Sequence, residues 1–199
     1  METRRSLSAI RRSGLASLLE RYTFETWELK EAWHRQALQL AKKYAEDPNG
    51  AWFVMTGRPG TGKTHLCTAL CGDLMQRGKR VQYMLWRDVS VQAKALVNDG
   101  EEYRRIVNPL KTVPVLYIDD LFKAGKDDRG NMKITQGDVN LAFEIINTRY
   151  NDSRLLTIIS SEKSMGEILS IDEAVGSRIR ERVRDNYLTL EKAANWRLK

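Results

Sequence analysis

The sequence predicts an α/β protein in which helices cover both faces of a five-stranded parallel sheet. From residue 51 onward, strand and helix signals alternate, as they do in parallel sheets with helical crossovers. The strand segments are apolar without alternation, so both of their faces should be buried. A glycine-rich loop joins the first strand to a helix, and ligands of such sheets bind at the carboxyl ends of the strands.

The first fifty residues carry helix signals and no clear strand. A spacing of three and four residues predicts one apolar helix face, formed by Trp33, Ala37, Leu40 and Tyr44. Turn residues at 47–50 then end the helix. We therefore expect a helical, basic N-terminal segment over residues 1–48 and a core over residues 49–199.

Five apolar stretches of the core predict the strands. They cover residues 51–56, 80–86, 114–118, 155–160 and 187–190. A helix is predicted over 63–77, where Gly78 ends it. Two more are predicted over 88–98 and 101–108, on either side of Gly100.

Capping residues predict two further helices. Asp138 is expected to cap a helix whose apolar face consists of Val139, Phe143, Ile146 and Tyr150. Ser170 and Glu173 match the S-x-x-E capping box of a helix that runs to about Arg184. Recurrence at every fourth residue predicts its buried face, formed by Val175, Ile179 and Val183.

Composition and charge narrow the class of protein. The 199 residues are 42% hydrophobic, which is ordinary for a soluble globular protein. No apolar run approaches the roughly 18 residues of a membrane span, and no secretory signal is present, so we expect a cytoplasmic protein without a membrane partner. The net charge of +7 favours polyanionic partners such as nucleotide or nucleic acid. It is concentrated at Arg4, Arg5, Arg11 and Arg12, and at Arg178, Arg180, Arg182 and Arg184.

The two cysteines, Cys67 and Cys71, lie four residues apart in a predicted helix. That spacing gives poor disulfide geometry, and His65 points to another helix face than Cys67 does. We therefore expect two small buried side chains rather than a metal site.

The glycine-rich loop matches the complete phosphate-loop pattern, from Gly57 to Gly62-Lys63-Thr64. Glycines let backbone N–H groups turn toward phosphate oxygens, and the helix that follows aims its N-terminus at the same anion. The lysine supplies a positive charge to the β- and γ-phosphates, and the threonine hydroxyl is a ligand for Mg²⁺. The expected nucleotide-binding residues are Gly57, Arg58, Pro59, Gly60, Thr61, Gly62, Lys63, Thr64 and His65.

Two carboxylates, Asp119 and Asp120, end the third predicted strand. A parallel sheet brings that strand end beside the phosphate loop. Asp119 is then expected to hold Mg²⁺ together with Thr64, and Asp120 to polarise the attacking water. The predicted ligand is ATP with Mg²⁺.

These motifs resemble those of AAA+ ATPases, and specifically of the bacterial DnaC/DnaI helicase loaders and their IstB relatives. The resemblance covers about residue 14 to the C-terminus. Its elements are Tyr22-Thr-Phe-Glu-Thr-Trp27, the phosphate loop with His65-Leu66, Leu116-Tyr-Ile-Asp-Asp-Leu121, Ile158-Ile-Ser-Ser161, Ser177-Arg-Ile-Arg-Glu-Arg-Val183 and Asn195-Trp-Arg197.

The resemblance implies a fold and several residue roles. The AAA+ core would place its strands in the order fifth, first, fourth, third, second, with extra helical residues near 88–108 and essentially no C-terminal lid. Ser161, or Ser160, takes the position that senses the γ-phosphate or orients water. Asp120 stands where many AAA+ proteins have the longer glutamate, which implies slow hydrolysis.

Three arginines receive roles from the same resemblance. Arg182 matches the arginine finger, and Arg178 lies one turn before it on the same helix face. We expect this pair to project away from the helix's buried face, toward the γ-phosphate held by a neighbouring subunit of an oligomer. Arg197 resembles a second sensor arginine.

By resemblance, the function would be that of a helicase loader in DNA replication initiation, with slow, partner-stimulated ATP hydrolysis. The expected partners are a replicative DNA helicase, single-stranded DNA and further copies of the chain. Basic residues near the helical insertion and the loop after the acidic strand are the candidate DNA contacts: Lys94, Arg104, Arg105, Lys111, Lys123 and Lys126.

Three alternatives remain open from the sequence. One is an IstB-like transposition helper, which shares the motifs. Another is a P-loop kinase or other phosphotransferase, although this leaves Arg178 and Arg182 without a purpose. The last is a nucleotide-dependent interaction module that does not hydrolyse ATP.

Overall fold

A computed structural model of the chain describes residues 14–126 and 132–190. The helices are α1 (Ala16–Leu19), α2 (Ala32–Glu46), α3 (Lys63–Gln76), α4 (Trp86–Ala95), α5 (Gly100–Thr112), α6 (Gln136–Tyr150), α7 (Met165–Ile171) and α8 (Glu173–Val183). The strands are β1 (Phe53–Gly57), β2 (Val81–Leu85), β3 (Val115–Asp119), β4 (Gly125–Lys126), β5 (Met132–Lys133), β6 (Leu156–Ser161) and β7 (Tyr187–Leu190).

The main sheet has five parallel strands in the order β2-β3-β6-β1-β7. This confirms the predicted class and strand order. Thr56 of β1 pairs with Ser161 of β6, and Ile118 of β3 pairs with Ile159 of β6. The carboxyl ends of these three strands therefore lie side by side.

The strands are buried on both faces, as their continuous apolar character predicts. Val54 packs in one hydrophobic cluster with α4 to α8, whereas its neighbours Phe53 and Met55 pack in a second cluster with α2 and α3. Successive strand residues point to opposite faces of a sheet, so one apolar strand contributes to both cores.

The helical insertion after β2 differs at its boundaries from the prediction. α4 begins at Trp86, directly after the strand, and the N-cap of α5 is Asp99, whose side chain accepts a hydrogen bond from the backbone of Glu102. The predicted end at residue 108 was wrong, because the helix continues through Pro109 to Thr112. Burial of Leu110 in this last turn outweighs the proline's missing N–H.

The predicted cap and face of α6 were also partly wrong. Thr135 is the N-cap, and Asp138 is its partner three residues into the helix. Phe143 is 38% exposed, so it does not belong to the buried face. That face consists of Leu141, Ala142, Ile145, Ile146 and Arg149. The helix has apolar residues on several sides, so spacing alone did not identify the buried one.

The predicted capping box of Ser170 and Glu173 does not form. Ser170 lies inside α7, where its hydroxyl donates to the backbone carbonyl of Gly166, and Asp172 caps α8 instead. The expected buried face of α8 is confirmed, since its three valine and isoleucine side chains have no exposed surface: Val175, Ile179 and Val183.

The described part of the N-terminal segment packs against α3, the helix that follows the phosphate loop (P-loop, residues 57–64). Leu15, Trp27, Ala37 and Tyr44 belong to the same hydrophobic cluster as α3, while Trp33 and Leu40 of the predicted face only border it. The domain division at residue 48 stays a prediction. The expected near-absence of a C-terminal lid concerns residues beyond 190, which lie outside the described part. No helix among the described residues is long and apolar enough to cross a membrane.

A short antiparallel pairing of β4 with β5 follows the acidic strand and was not predicted. Both cysteines are buried and unpaired, as expected. Burial raises the pKa of Cys67, so its thiol stays protonated.

Candidate nucleotide-binding site

A cleft of about 160 Å³ opens at the carboxyl ends of β1 and β3. Its walls come from the P-loop, the start of α3, the N-terminal segment and the loops after β3 and β6. They are formed by Tyr22, Pro59, Gly60, Gly62, Lys63, Thr64, His65, Asp120, Lys123 and Glu162. Many of the residues predicted for phosphate and water binding therefore lie around one space.

Two glycines of the loop are required by close approach as well as by backbone conformation. At Gly57, with φ 139°, a Cβ atom would lie 2.7 Å from the backbone of Leu190 in β7. At Gly62, with φ 87°, it would lie 2.8 Å from the indole of Trp27. Both distances are shorter than real Cβ contacts, so a larger residue would have to displace the Leu190 backbone at position 57 or the Trp27 indole at position 62.

Lys63 is buried at the base of the loop. Its ammonium donates to the carbonyls of Gly57, at 2.7 Å, and Arg58, at 2.9 Å. Burial lowers the pKa of Lys63, and the nearby carboxylates of Asp120 and Glu162 oppose that shift. The positive charge therefore lies inside the loop, bonded to carbonyls that phosphate oxygens could replace.

Four hydroxyl groups converge on the Asp119 carboxylate. Oδ1 accepts from Thr64 at 3.2 Å, from Tyr117 at 2.8 Å and from Ser160 at short range. Oδ2 accepts from Tyr83 at 3.1 Å. Burial raises the pKa of both tyrosines, so their hydroxyls remain donors.

The two tyrosines were not identified from the sequence. Tyr117 precedes Asp119 by two residues on the same strand, and strand alternation gives that signal. Tyr83 lies on β2 opposite Tyr117, and only the strand register reveals that pairing.

A magnesium ion fits the oxygen donors at this place. Thr64 offers a hydroxyl and Asp119 a carboxylate, and Mg²⁺ is bound in proteins through one or two carboxylates, waters and substrate phosphates. Among the described residues, here or elsewhere, no group of three or more histidine, cysteine or acidic side chains could hold a metal by itself.

The two serines at the end of β6 point in different directions. Ser160 donates to Asp119 and accepts from the backbone N–H of Asp120, at 3.0 Å. Ser161 instead donates to the carbonyl of Leu121, at 2.7 Å. Neighbouring strand residues face opposite sides, so the Ser160 hydroxyl is directed toward Asp119 and that of Ser161 away from it. Ser160 is therefore better placed than Ser161 for the predicted phosphate-sensing position.

Lys123 and Glu162 are further cleft residues that the sequence did not assign to this site. The Lys123 ammonium donates to Asp120 Oδ2, at 2.9 Å, and to Glu162 Oε1, at 2.7 Å. Lys123 was expected among the DNA contacts, but its charge is directed into the cleft and paired there.

His65 joins the P-loop helix to the N-terminal segment. Its Nε2 lies 3.0 Å from the carbonyl of Thr23 and 3.1 Å from the hydroxyl of Thr26. Its ring packs near Tyr22 and Trp27, with centroids 4.9 Å and 5.2 Å away. Burial lowers the pKa of His65, which favours the neutral ring.

Arg178 and Arg182 of α8 do not project together. Arg182 is 8% exposed, and its guanidinium donates to the carbonyls of Tyr150, at 2.8 Å, and Gly50, at 2.7 Å. Gly50 precedes β1, so Arg182 lies toward the amino ends of the strands. The expectation of a free finger at Arg182 is wrong, because burial and these carbonyls already occupy its donors.

Arg178 is the more accessible of the pair. It donates to the Asn147 side chain and the Ala174 carbonyl, and stacks over the rings of Phe143 and Tyr150. Arg197, the other arginine with a predicted role, lies outside the described residues.

Most basic residues expected to contact DNA are paired with carboxylates. The pairs besides Lys123 are Lys94 with Asp138, Arg105 with Glu102, and Lys111 with Glu144. Arg104 is exposed and forms no ion pair with another residue of the described ranges. The side chain of Lys126 is not among those that the structure describes.

Comparison with known proteins agrees with this geometry. The chain matches the family described as IstB-like ATP binding protein over residues 2–191. It is 35% identical over 113 residues to the replicative helicase loader DnaC of Escherichia coli (strain K12). This match covers 55% of this chain and 46% of that protein. The chain therefore spans about half the length of the DnaC relatives that it matches.

Solved structures show the same fold. The crystal structure of the DnaC helicase loader superposes with a TM-score of 0.72 at 24% identity, over 85% of this chain and 96% of that one. The replication initiator DnaA bound to AMPPCP and single-stranded DNA gives a TM-score of 0.67 at 25% identity, over 85% of this chain and 50% of that one. With an AAA+ core and a family match over nearly its full length, this chain belongs to the IstB-like ATP-binding family.

Proposed function

We propose that the chain binds ATP with Mg²⁺ and hydrolyses it slowly. One observation carries the proposal: Lys63 and Thr64 line one cleft at the carboxyl ends of the strands, and the carboxylate of Asp119 accepts a hydrogen bond from the Thr64 hydroxyl. A glycine turn with only a structural role has no need of these three groups together. Calorimetric titration of the protein with ATP, with and without Mg²⁺, tests the proposal, and no heat of binding in either titration contradicts it.

The phosphates bind to the loop and its lysine. Backbone N–H groups of the P-loop and the N-terminus of α3 take the β- and γ-phosphate oxygens. Lys63 exchanges the carbonyls of Gly57 and Arg58 for those oxygens. Thr64 and Asp119 hold Mg²⁺, which neutralises phosphate charge when bound.

Asp120 and Ser160 orient the attacking water. Asp120 lines the cleft directly after the magnesium-binding strand end, and its backbone N–H is bonded to Ser160. A carboxylate here accepts a hydrogen bond from the water as it attacks the γ-phosphate. Asp120 is one methylene shorter than glutamate, which leaves the water farther from its base and makes hydrolysis slow.

For the biological role, we propose an ATP-controlled loader of a replicative DNA helicase. The relative in Escherichia coli named a replicative helicase loader supports this role. A pull-down with a replicative helicase and, in parallel, a transposase tests it. Retention of the helicase in the presence of ATP is expected, and retention of the transposase alone would favour the transposition-helper role instead. The family match gives no support to a phosphotransferase.

Single-stranded DNA is a further proposed partner. The net charge of +7 and the DNA-bound DnaA structure of the same fold support it. Arg104 is the contact that we favour, because its charge is not paired with a described carboxylate. Binding should weaken with salt, with a log–log slope near −0.7 for each phosphate neutralised. Fluorescence anisotropy with a labelled oligonucleotide measures this slope, and a salt-independent affinity contradicts the proposal.

We also propose that the working unit is an oligomer. In AAA+ assemblies an arginine of one subunit reaches the γ-phosphate of the next, and of the two predicted finger arginines of α8, Arg178 is more accessible than the buried Arg182. Its position on a half-exposed face beside Phe143 supports a contact with a second copy.

A further inference from the structure

The turn after β3 carries a pair of salt bridges on the wall of the cleft, which we call the ion bridge. Lys123 donates at once to Asp120 Oδ2, at 2.9 Å, and to Glu162 Oε1, at 2.7 Å. All three side chains are partly buried, with exposed fractions of 34%, 19% and 30%. The bridge joins the loop after β3 to the loop after β6.

The backbone of this turn is fixed by the fold. The Lys123 N–H donates to the Asp120 carbonyl, at 2.9 Å, and the Leu121 N–H donates to the Ser160 carbonyl, at 2.9 Å. Phe122 is fully buried, with its ring 5.5 Å from that of Trp86.

Two residues of the turn have left-handed backbone conformations, with φ 59° at both Asp120 and Phe122. Such conformations are costly for residues other than glycine and persist where the surrounding structure imposes them. The packed backbone of the turn therefore determines where Lys123 lies.

The negative charges in the cleft explain why a positively charged side chain such as Lys123 is needed there. Asp119, Asp120 and Glu162 are three carboxylates beside a space suited to phosphates. Asp120 and Glu162 lie 2.9 Å and 2.7 Å from the Lys123 ammonium, and this positive group offsets the repulsion between their like charges. Partial burial disfavours the charge on Lys123, but its bonds to Glu162 and Asp120 outweigh this effect and raise its pKa.

We propose that Lys123 is a positioning residue for hydrolysis, which holds the Asp120 carboxylate in place through Oδ2. Within the described part of the chain, Asp120 Oδ1 forms no hydrogen bond, so this oxygen is left to face the attacking water. Glu162 fixes the lysine from the other side. The inference rests on the proposed ATPase function and adds to it the group that orients the base.

Lys123→Met tests the role, since methionine keeps most of the length and loses the charge. In single-turnover hydrolysis with excess protein, the rate should fall about tenfold or more, since a positioned base contributes at least a hundredfold. The affinity for ATP should stay within about threefold, since Lys123 does not bind the phosphates. Lys123→Arg, which can also bond two carboxylates, should restore most of the rate.

A double variant separates positioning from direct phosphate contact. In an Asp120→Asn background, Lys123→Met should reduce the rate by less than about twofold further, because residues acting through one another are not additive. A full additional loss in the double variant overturns the inference, because Lys123 would then act independently of Asp120.

Lys163→Met is the matched control. Lys163 is 37% exposed and pairs with Glu167, at 3.2 Å. Its variant should hydrolyse ATP as the wild type does, and thermal denaturation should show all variants folded. If Lys123→Met does not fold, Glu162→Gln tests the same bridge from its other end, and unchanged hydrolysis in it overturns the inference.

The outcomes also separate this inference from the proposed function. A wild-type protein that neither binds nor hydrolyses ATP contradicts the ATPase proposal, and the inference falls with it. If the wild type hydrolyses ATP and Lys123→Met hydrolyses it at the same rate, only the inference is contradicted.

Discussion

The hydroxyl of Thr64 donates to the carboxylate of Asp119 across 3.2 Å, joining the P-loop helix to the end of β3. These residues are 55 positions apart in the chain, and the parallel crossover brings them together. The two oxygen groups are therefore oriented toward one another. A site whose ligands are already positioned needs little rearrangement to accept Mg²⁺.

Asp119→Asn should remove magnesium-dependent hydrolysis while sparing much of the nucleotide binding. The amide keeps the shape of the carboxylate, but loses the charge that a hard cation needs. Hydrolysis measured over a range of Mg²⁺ concentrations checks this, together with calorimetry for ATP. Asp185→Asn, which changes an exposed carboxylate, should behave as the wild type. Wild-type magnesium dependence in Asp119→Asn would exclude this residue as a ligand.

Lys63→Ala should weaken ATP binding by tenfold or more. The change removes a charged hydrogen bond to phosphate, which is worth about 1.5–3 kcal/mol. Calorimetry measures the affinity, and Lys79→Ala is the control because it removes an exposed lysine. An unchanged affinity in Lys63→Ala would remove the basis for the P-loop assignment.

Much of this site could be predicted because its motifs are local. The P-loop is one contiguous stretch of the chain and the Asp119-Asp120 pair is another, and the chemistry of each follows from residue type and spacing. The strand order needed the resemblance, since it depends on pairings between distant segments.

The residues that were missed depend on tertiary contacts. Tyr83 reaches Asp119 from another strand, and Lys123 reaches Glu162 from another loop. Arg182 was misjudged because helical spacing gives the angle of a side chain around the helix, whereas its burial depends on the loops before β1 and β6.

Gly62→Ala should disrupt the contact between the P-loop and Trp27. A methyl group would lie 2.8 Å from the indole, and the left-handed backbone adds strain of about 1–2 kcal/mol. Gly78→Ala is a matched control, because its φ of 80° brings the same backbone strain but its Cβ would meet open space. In urea denaturation, the free energy of unfolding of Gly78→Ala should fall only by the strain energy. That of Gly62→Ala should fall further, and this variant should also bind ATP poorly. Equal effects of the two changes would show that the Trp27 contact is unimportant.

Arg182→Ala should destabilise the fold rather than only remove a catalytic group. Its guanidinium donates to buried carbonyls before β1 and β6 and packs over the ring of Trp52, at 5.2 Å. Leaving a buried acceptor unpaired costs about 1–3 kcal/mol in the free energy of unfolding. Arg180→Ala on the exposed side of α8 should change that free energy little. Urea denaturation compares the two, and similar midpoints would indicate that Arg182 is not a structural residue.

The proposed oligomer predicts complementation between two inactive variants. Arg178→Ala keeps an intact P-loop, and Lys63→Ala keeps an intact arginine, so one mixed interface can unite both. Because a finger supplied in trans contributes on the order of 10³–10⁵ in rate, each variant alone should be nearly inactive, and a mixture should regain part of the hydrolysis. Arg178 rather than Arg182 suits this test, since loss of Arg182 is expected to destabilise the fold. Each protein is first checked for folding by thermal denaturation, and Arg180→Ala serves as the active control on the same helix. The assay requires conditions in which the wild type assembles, established by sedimentation with ATP, DNA or the helicase present. Mixtures as inactive as the separate variants would show that Arg178 does not act on a neighbouring subunit.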